Sequence, residues 1–172
     1  MKELILGGVR SGKSALAETL ARESGMEVLY LATATAGDRE MGDRIARHRQ
    51  RRPAHWRTRE EPLALASALA SEASPTRCIL VDCLTLWLSN LLSGDRDRWR
   101  RERADLLALL PRLPGRVILV SNEVGWGIVP SSELGRRFRD EAGRLHQALA
   151  ACCERVILVV AGLPQVLKGE AL

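Results

Sequence analysis

The sequence predicts one α/β domain over residues 1–172, with a mostly parallel sheet flanked by helices. Five short apolar runs do not alternate with polar residues, which is typical of strands covered on both faces. Between these runs, apolar residues recur three and four positions apart, as in amphipathic helices. At about 150 residues per domain, the chain has room for little more than one domain.

The elements follow one another in the order expected for crossover connections. The first elements in chain order are a strand at 3–6, a helix at 14–23, a strand at 28–32, a helix at 63–71 and a strand at 78–81. They are followed by a helix beginning near Leu84, a helix at 98–110, a strand at 117–120, a helix at 132–151 and a strand at 156–160. Ligands of such sheets bind at the carboxyl ends of the strands. The segments 35–61 and 121–132 break the pattern after strands, so we expect both at that edge.

Composition places the chain among ordinary globular proteins. It is 46% hydrophobic and 27% charged, which excludes a disordered tail or a fibre. The four cysteines have neither disulfide nor metal spacing, and no leader precedes them, so we expect a cytoplasmic protein with reduced thiols. No apolar run approaches the roughly 20 residues that cross a bilayer. The net charge of +5 suits anionic small molecules and nucleic acid equally.

A phosphate-binding motif follows the first strand and leads into a helix. It fits GxxxxGK[ST] and consists of Gly7, Gly8, Val9, Arg10, Ser11, Gly12, Lys13 and Ser14. Its glycines let successive N–H groups point at phosphate oxygens, and the helix N-terminus adds positive charge. Lys13 can bridge the β- and γ-phosphates while the Ser14 hydroxyl binds Mg²⁺. The motif predicts a P-loop NTPase-like, RecA-like fold that binds ATP or GTP.

Two acidic residues follow strands and are candidates for the same site. Asp82 closes the run at 78–81 and is the best second ligand for Mg²⁺. The alternative is that Asp82 caps the helix beginning near Leu84. Glu123 follows the fourth strand and could contact metal or substrate or act as a base.

The segment 44–57, RIARHRQRRPAHWR, combines six arginines with two histidines. It could be a solvated basic helix face, or a nucleic-acid patch in which Trp56 stacks on bases. It could also handle phosphate beside the P-loop, because surrounding arginines lower the pKa of an imidazole and favour its attack on phosphorus.

With these motifs the chain resembles the bifunctional adenosylcobinamide kinase/adenosylcobinamide-phosphate guanylyltransferase family of cobalamin biosynthesis, nearly end to end. The resemblance is carried by GGVRSGKS at Gly7, LATA at Leu31, RIARHRQRRPAHWRT at Arg44, NEVGWGIVP at Asn122 and FRDEAGRLHQ at Phe138. It implies phosphorylation of adenosylcobinamide by a nucleoside triphosphate, then transfer of GMP from GTP to adenosylcobinamide phosphate through a guanylylated histidine.

The resemblance also implies roles for single residues. His48 matches the guanylylated histidine, with His55 in reserve. Guanine-nucleotide contacts are implied for Arg49, Gln50, Arg51, Arg52, Thr33, Ala34, Glu60 and Asp82. The family usually has Asn where His146 stands, which leaves the role of His146 open. The resemblance further suggests a trimer with the corrinoid between subunits, and no nucleic acid or membrane partner.

Two other functions are compatible with the residues alone. One is a RecA-like ATPase that binds nucleic acid through the segment 44–57. The other is a small-molecule kinase in which His48 is structural.

Overall fold

The computed structural model describes residues 1–35 and 53–172. Its elements, in chain order, are β1 (Lys2–Gly7), α1 (Lys13–Glu23), β2 (Glu27–Ala32), β3 (Arg57–Glu60), α2 (Leu65–Glu72), β4 (Arg77–Asp82), α3 (Leu84–Leu92), α4 (Arg96–Leu109), a 3₁₀ turn (Leu110–Arg112), β5 (Arg116–Asn122), α5 (Glu133–Cys152), β6 (Arg155–Val160) and β7 (Leu163–Lys168).

The described strands form one seven-stranded sheet in the order β3-β2-β4-β5-β1-β6-β7. All neighbouring pairs are parallel except β6 and β7. In the register, Gly7 pairs with Asn122, and Asp82 pairs with both Ala32 and Val120. The strand leading to the phosphate motif and the strand ending in Asp82 therefore flank β5, with their carboxyl ends at one edge.

The predicted α/β class and all five predicted strands are confirmed, because interior strands carry the uninterrupted apolar runs. The helix near Leu84 is confirmed as α3. Two strands had no counterpart in the prediction, β3 and β7. They form the two ends of the sheet and most of their residues are exposed, so their sequences RTRE and LPQVLK lack an apolar run.

The core consists of two apolar layers, one on each face of the sheet. On one face, α2, α3, α4 and α5 cover the strands, with Trp87 and Trp99 in edge-to-face contact at 5.5 Å between ring centroids. On the other face, α1 and Trp56 cover the strands. Among the described helices, none is both long and apolar enough to span a membrane.

A buried ionic cluster holds the amino-terminal ends of three central strands together. Glu3 is fully buried, and its carboxylate accepts from Nε of Arg116 at 2.6 Å and from Nε of Arg155 at 2.7 Å. Both guanidinium groups are also mostly buried. The cluster ties β1 to both of its neighbours at the edge opposite the phosphate motif.

We expect Glu3→Gln to lower the free energy of unfolding by about 3 kcal/mol, because it leaves two buried guanidinium groups without their counter-ion. The control is Glu27→Gln, since Glu27 is half-exposed where it pairs with Arg77 and should contribute about 1 kcal/mol or less. Urea unfolding of both variants measures the difference. Equal losses would contradict a special role for the buried cluster.

Candidate nucleotide site

The phosphate motif forms a loop between β1 and α1 in the conformation that exposes backbone N–H groups. Arg10 and Gly12 have positive φ angles of 57° and 97°, and α1 begins at Lys13 without a side-chain cap at its N-terminus. The Ser11 N–H donates to the Gly8 carbonyl at 3.3 Å, which closes the turn. The uncapped helix end and the curled backbone are the features that bind phosphate anions.

The loop is braced by the turn between β6 and β7. The Gly162 N–H donates to the Ser11 carbonyl at 2.8 Å. A Cβ atom at Gly7 would lie 2.5 Å from the Ser11 hydroxyl oxygen and 2.6 Å from the Val159 carbonyl oxygen, so this position requires glycine. The Ser11 hydroxyl is buried without a hydrogen-bond partner among the described residues, as expected of a group that would face a ligand.

Lys13 is held under the loop rather than extended into solvent. Its side chain is largely buried, and Nζ donates to the Gly8 carbonyl at 3.3 Å. Burial lowers the pKa of Lys13, while the nearby Cys83 and Asp82 oppose this shift. The cation thus lies within electrostatic range of the carboxylate at the end of β4.

Asp82 is placed by β4 and by a neighbouring phenol. The Tyr30 hydroxyl donates to Oδ2 of Asp82 at 2.7 Å across the β2–β4 pair. Cys83, and not Asp82, occupies the N-cap of α3, so Asp82 lies one residue before the capping position. The choice between a metal ligand and a helix cap for Asp82 stays a prediction.

Thr33, Ala34 and Glu60 lie at the same sheet edge. Thr33 is fully buried, and its hydroxyl both donates to the Cys83 carbonyl at 2.7 Å and accepts from the Cys83 N–H at 2.9 Å. These two hydrogen bonds therefore connect the residue after β2 to the residue after Asp82. Glu60 is exposed at the end of β3 and pairs with Ala32. The nucleotide contacts predicted for these three residues stay predictions.

The predicted nucleophile His48 and the predicted nucleotide contacts Arg49, Gln50, Arg51 and Arg52 lie outside the described residues. Of the same segment, His55 is described and is exposed in a turn. Trp56 is only 7% exposed and packs in the α1-side core, so the interpretation of Trp56 as a stacking platform for nucleic acid is wrong. The indole is used for packing at this position.

A polar network links the end of β5 to α3 and α5. The sequence did not predict that these side chains come together. Nε2 of His146 is 2.8 Å from the Ser121 hydroxyl, which is 3.3 Å from the Thr85 hydroxyl. Nδ1 of His146 faces Oε2 of Glu123 at 3.7 Å, beyond hydrogen-bond range, so this contact is electrostatic. Burial lowers the pKa of His146, and Glu123 opposes the shift. The sequence feature that could have indicated this network is the group of polar residues that follows the apolar run at 117–120.

An exposed apolar loop follows Glu123. Trp126, Ile128 and Val129 are 75%, 97% and 60% exposed, and Leu134 in the first turn of α5 is also exposed. Four large apolar side chains this close together on the surface indicate a binding surface, since monomeric proteins seldom expose such patches without a function.

The fold and the loop together define a P-loop nucleotide-binding protein of the RecA-like α/β class. Solved structures show the same fold at low sequence identity. The flagellar accessory protein FlaH from Methanocaldococcus jannaschii has a TM-score of 0.55 and 12% identity, covering 98% of this chain and 78% of FlaH. The RadB recombinase has a TM-score of 0.51 and 18% identity, covering 91% of this chain and 73% of its own.

Sequence comparison then identifies the family. Residues 3–167 match the CobU family, described as cobinamide kinase / cobinamide phosphate guanyltransferase, and the chain belongs to it. The bifunctional adenosylcobalamin biosynthesis protein CobP of Pseudomonas aeruginosa is 67% identical, covering 100% of both chains. The bifunctional adenosylcobalamin biosynthesis protein CobU of Escherichia coli is 45% identical, covering 95% of this chain and 97% of its own.

Proposed function

We propose that this chain carries out both activities that name its family: phosphorylation of adenosylcobinamide by ATP or GTP, and transfer of GMP from GTP to adenosylcobinamide phosphate. The products of the second step are adenosylcobinamide-GDP and pyrophosphate. The observation that carries the proposal is the family match over residues 3–167, which includes the phosphate loop at residues 7–14.

One nucleotide site can serve both reactions because they attack different phosphorus atoms. In the kinase step, the substrate hydroxyl attacks the γ-phosphate. In the guanylyl step, His48 attacks the α-phosphate of GTP, pyrophosphate leaves, and the corrinoid phosphate then displaces the histidine from the GMP. The P-loop N–H groups and Lys13 can hold the triphosphate for either attack.

The donors at this site suit Mg²⁺. Ser14 in the first turn of α1 and Asp82 at the end of β4 supply hard oxygen ligands, and a nucleotide would supply phosphate oxygens. No cluster of three or more His, Cys, Asp or Glu side chains in residues 1–35 and 53–172 could hold a metal by itself. A metal that arrives with the nucleotide fits this donor set. When bound, Mg²⁺ neutralises charge on the phosphates.

The exposed apolar loop supports a large second substrate. Trp126, Ile128 and Val129 lie three to six residues after Glu123, whose N–H donates to the Gly7 carbonyl at 3.0 Å beside the phosphate loop. A corrinoid could cover these side chains while its hydroxyl reaches the nucleotide. Assembly as a trimer that completes the corrinoid site stays a prediction, which light scattering at several protein concentrations tests.

Incubation with labelled GTP tests the covalent step. With GTP labelled at the α-phosphate, we expect protein label that is lost in acid and stable in alkali, as for a phosphorus–nitrogen bond. Adding adenosylcobinamide phosphate should discharge the label into adenosylcobinamide-GDP. GTP labelled at the γ-phosphate is the control and should leave the protein unlabelled. Absence of α-label in a protein that turns GTP over would contradict the histidine intermediate.

We expect Asp82→Asn to raise the Mg²⁺ concentration needed for half-maximal rate and to slow both steps about 10²-fold, because the amide replaces the carboxylate that would face the metal. Mg²⁺ titrations of both activities measure the effect. Tyr30→Phe is the matched control, since it removes one hydrogen bond to Asp82 and keeps the carboxylate. Wild-type rates and Mg²⁺ dependence in Asp82→Asn would exclude Asp82 from the metal site.

A further inference from the structure

Glu123 lies between the two strands that form the phosphate site. It directly follows β5, which pairs with β1 on one side and with β4 on the other. Its N–H continues the ladder by donating to the Gly7 carbonyl at 3.0 Å. The backbone of Glu123 therefore lies between the start of the phosphate loop and the strand that ends in Asp82.

The Glu123 side chain is held in one place but stays reachable from solvent. Oε1 accepts the Gly125 N–H at 2.5 Å, and a Cβ atom at Gly125 would lie 2.8 Å from this oxygen, so a larger residue there would displace the carboxylate from its present position. The side chain is 21% exposed. Among the described residues, no Lys or Arg forms an ion pair with it. Within residues 1–35 and 53–172, the one ionic contact of this carboxylate is with His146.

His146 faces the other oxygen of this carboxylate and is itself fixed from behind. Its ring is 7% exposed and contacts the Ser121 hydroxyl, whose neighbour Thr85 accepts the Asn122 N–H at 2.7 Å. The network joins α3, β5 and α5, and rotation of the imidazole would break its contacts with Ser121 and Glu123. The ring limits the positions that the Glu123 carboxylate can occupy.

We propose that Glu123 is the base of the kinase step and that His146 is its positioning residue. The inference rests on the proposed kinase function. As the substrate oxygen forms its bond to the γ-phosphorus, the hydroxyl proton passes to the Glu123 carboxylate. The bond between the γ-phosphorus and the β–γ bridging oxygen breaks, and its electron pair leaves with the nucleoside diphosphate.

The guanylyl step does not need this base. Its final nucleophile is a phosphate oxygen that already carries negative charge, and its first nucleophile is an imidazole nitrogen. Neither attack requires removal of a hydroxyl proton. Loss of Glu123 should therefore separate the two activities, whereas loss of a residue that binds nucleotide or metal should impair both.

We expect Glu123→Gln to lower kcat of the kinase about 10²-fold or more, with the KM for nucleotide within about threefold of wild type. GMP labelling by GTP, and its transfer to supplied adenosylcobinamide phosphate, should stay near wild-type rates. Asp105→Asn, which neutralises an exposed carboxylate on α4, is the control and should leave both activities unchanged.

Two results would overturn the assignment of Glu123. An unchanged kinase rate in Glu123→Gln would exclude a base there. Parallel loss of both activities, or a raised Mg²⁺ requirement, would assign Glu123 to nucleotide or metal binding. A wild-type protein without kinase activity would instead contradict the proposed function, so the two failures are distinguishable.

A double-mutant cycle tests His146 as a positioning residue. We expect His146→Ala to slow the kinase step in the wild-type background and to have no further effect in Glu123→Gln. His146→Asn keeps a polar partner for Ser121 and should recover most of the rate. Equal effects of His146→Ala in both backgrounds, or on both activities, would make the residue merely structural; thermal unfolding identifies any variant that fails to fold.

Discussion

Lys13→Ala should abolish both the kinase and the guanylyl transfer, by at least about 10²–10³-fold each, because it removes the cation that faces the developing charge on the phosphates. The side chain is largely buried and reaches the Gly8 carbonyl from inside the loop. Steady-state rates with ATP and GTP, measured at saturating Mg²⁺, test this expectation.

The thermal stability of Lys13→Ala shows whether its loss of activity is due to unfolding. Burial lowers the pKa of Lys13, so the folded state disfavours the charged form relative to the unfolded state. A lysine whose pKa is lowered on folding destabilises the folded state at pH values below its unfolded pKa. At neutral pH, loss of this charge should therefore offset part of the stability lost with the Gly8 hydrogen bond, and the Tm of Lys13→Ala measures the balance. Retention of full guanylyltransferase activity in Lys13→Ala would require a second nucleotide site and would contradict the shared loop.

His48→Asn should eliminate GMP labelling and guanylyl transfer while adenosylcobinamide phosphorylation largely survives. Asparagine keeps similar size and hydrogen-bonding capacity but lacks the nucleophilic ring nitrogen. Attack on the γ-phosphate by a substrate hydroxyl uses no nucleophile from the protein, so the kinase step should tolerate the change. Assays of both reactions on the same preparation measure the split.

Mass spectrometry locates the modified residue. In the GTP-treated wild type, we expect the added GMP on the peptide that contains His48. His55→Asn is the matched control from the same segment and should still be labelled. GMP found on His55 or on the buried His146 would reject His48 as the nucleophile and leave the family assignment unaffected.

Substitutions of Glu123 and His48 are expected to have opposite effects in the kinase and guanylyl-transfer assays. The kinase should fail and the guanylyl step survive in Glu123→Gln, whereas the reverse should hold in His48→Asn. Lys13 and Asp82 should impair both. The pattern across four variants therefore tests the division of labour more sharply than any one of them.

Much of the nucleotide site was predictable because its signals are local in the chain. The spacing of Gly7, Gly12 and Lys13 is a property of eight consecutive residues, and Asp82 ends an apolar run that only a buried strand explains. The interior strands β1, β2, β4, β5 and β6 are apolar because both faces of the sheet are covered. At the ends of the sheet this constraint is absent, and β3 and β7 carried no pattern to read.

The sequence by itself determined the α/β class, the phosphate loop, the acidic residue at the end of β4 and, through its motifs, the family. Only the tertiary structure decided that Trp56 serves the core, that the Thr33 hydroxyl locks two strand ends, and that His146 faces Glu123 from 23 positions away. These roles depend on which side chains meet across neighbouring strands and helices. Strand order and helix placement set those contacts, and no local pattern of residue types encodes them.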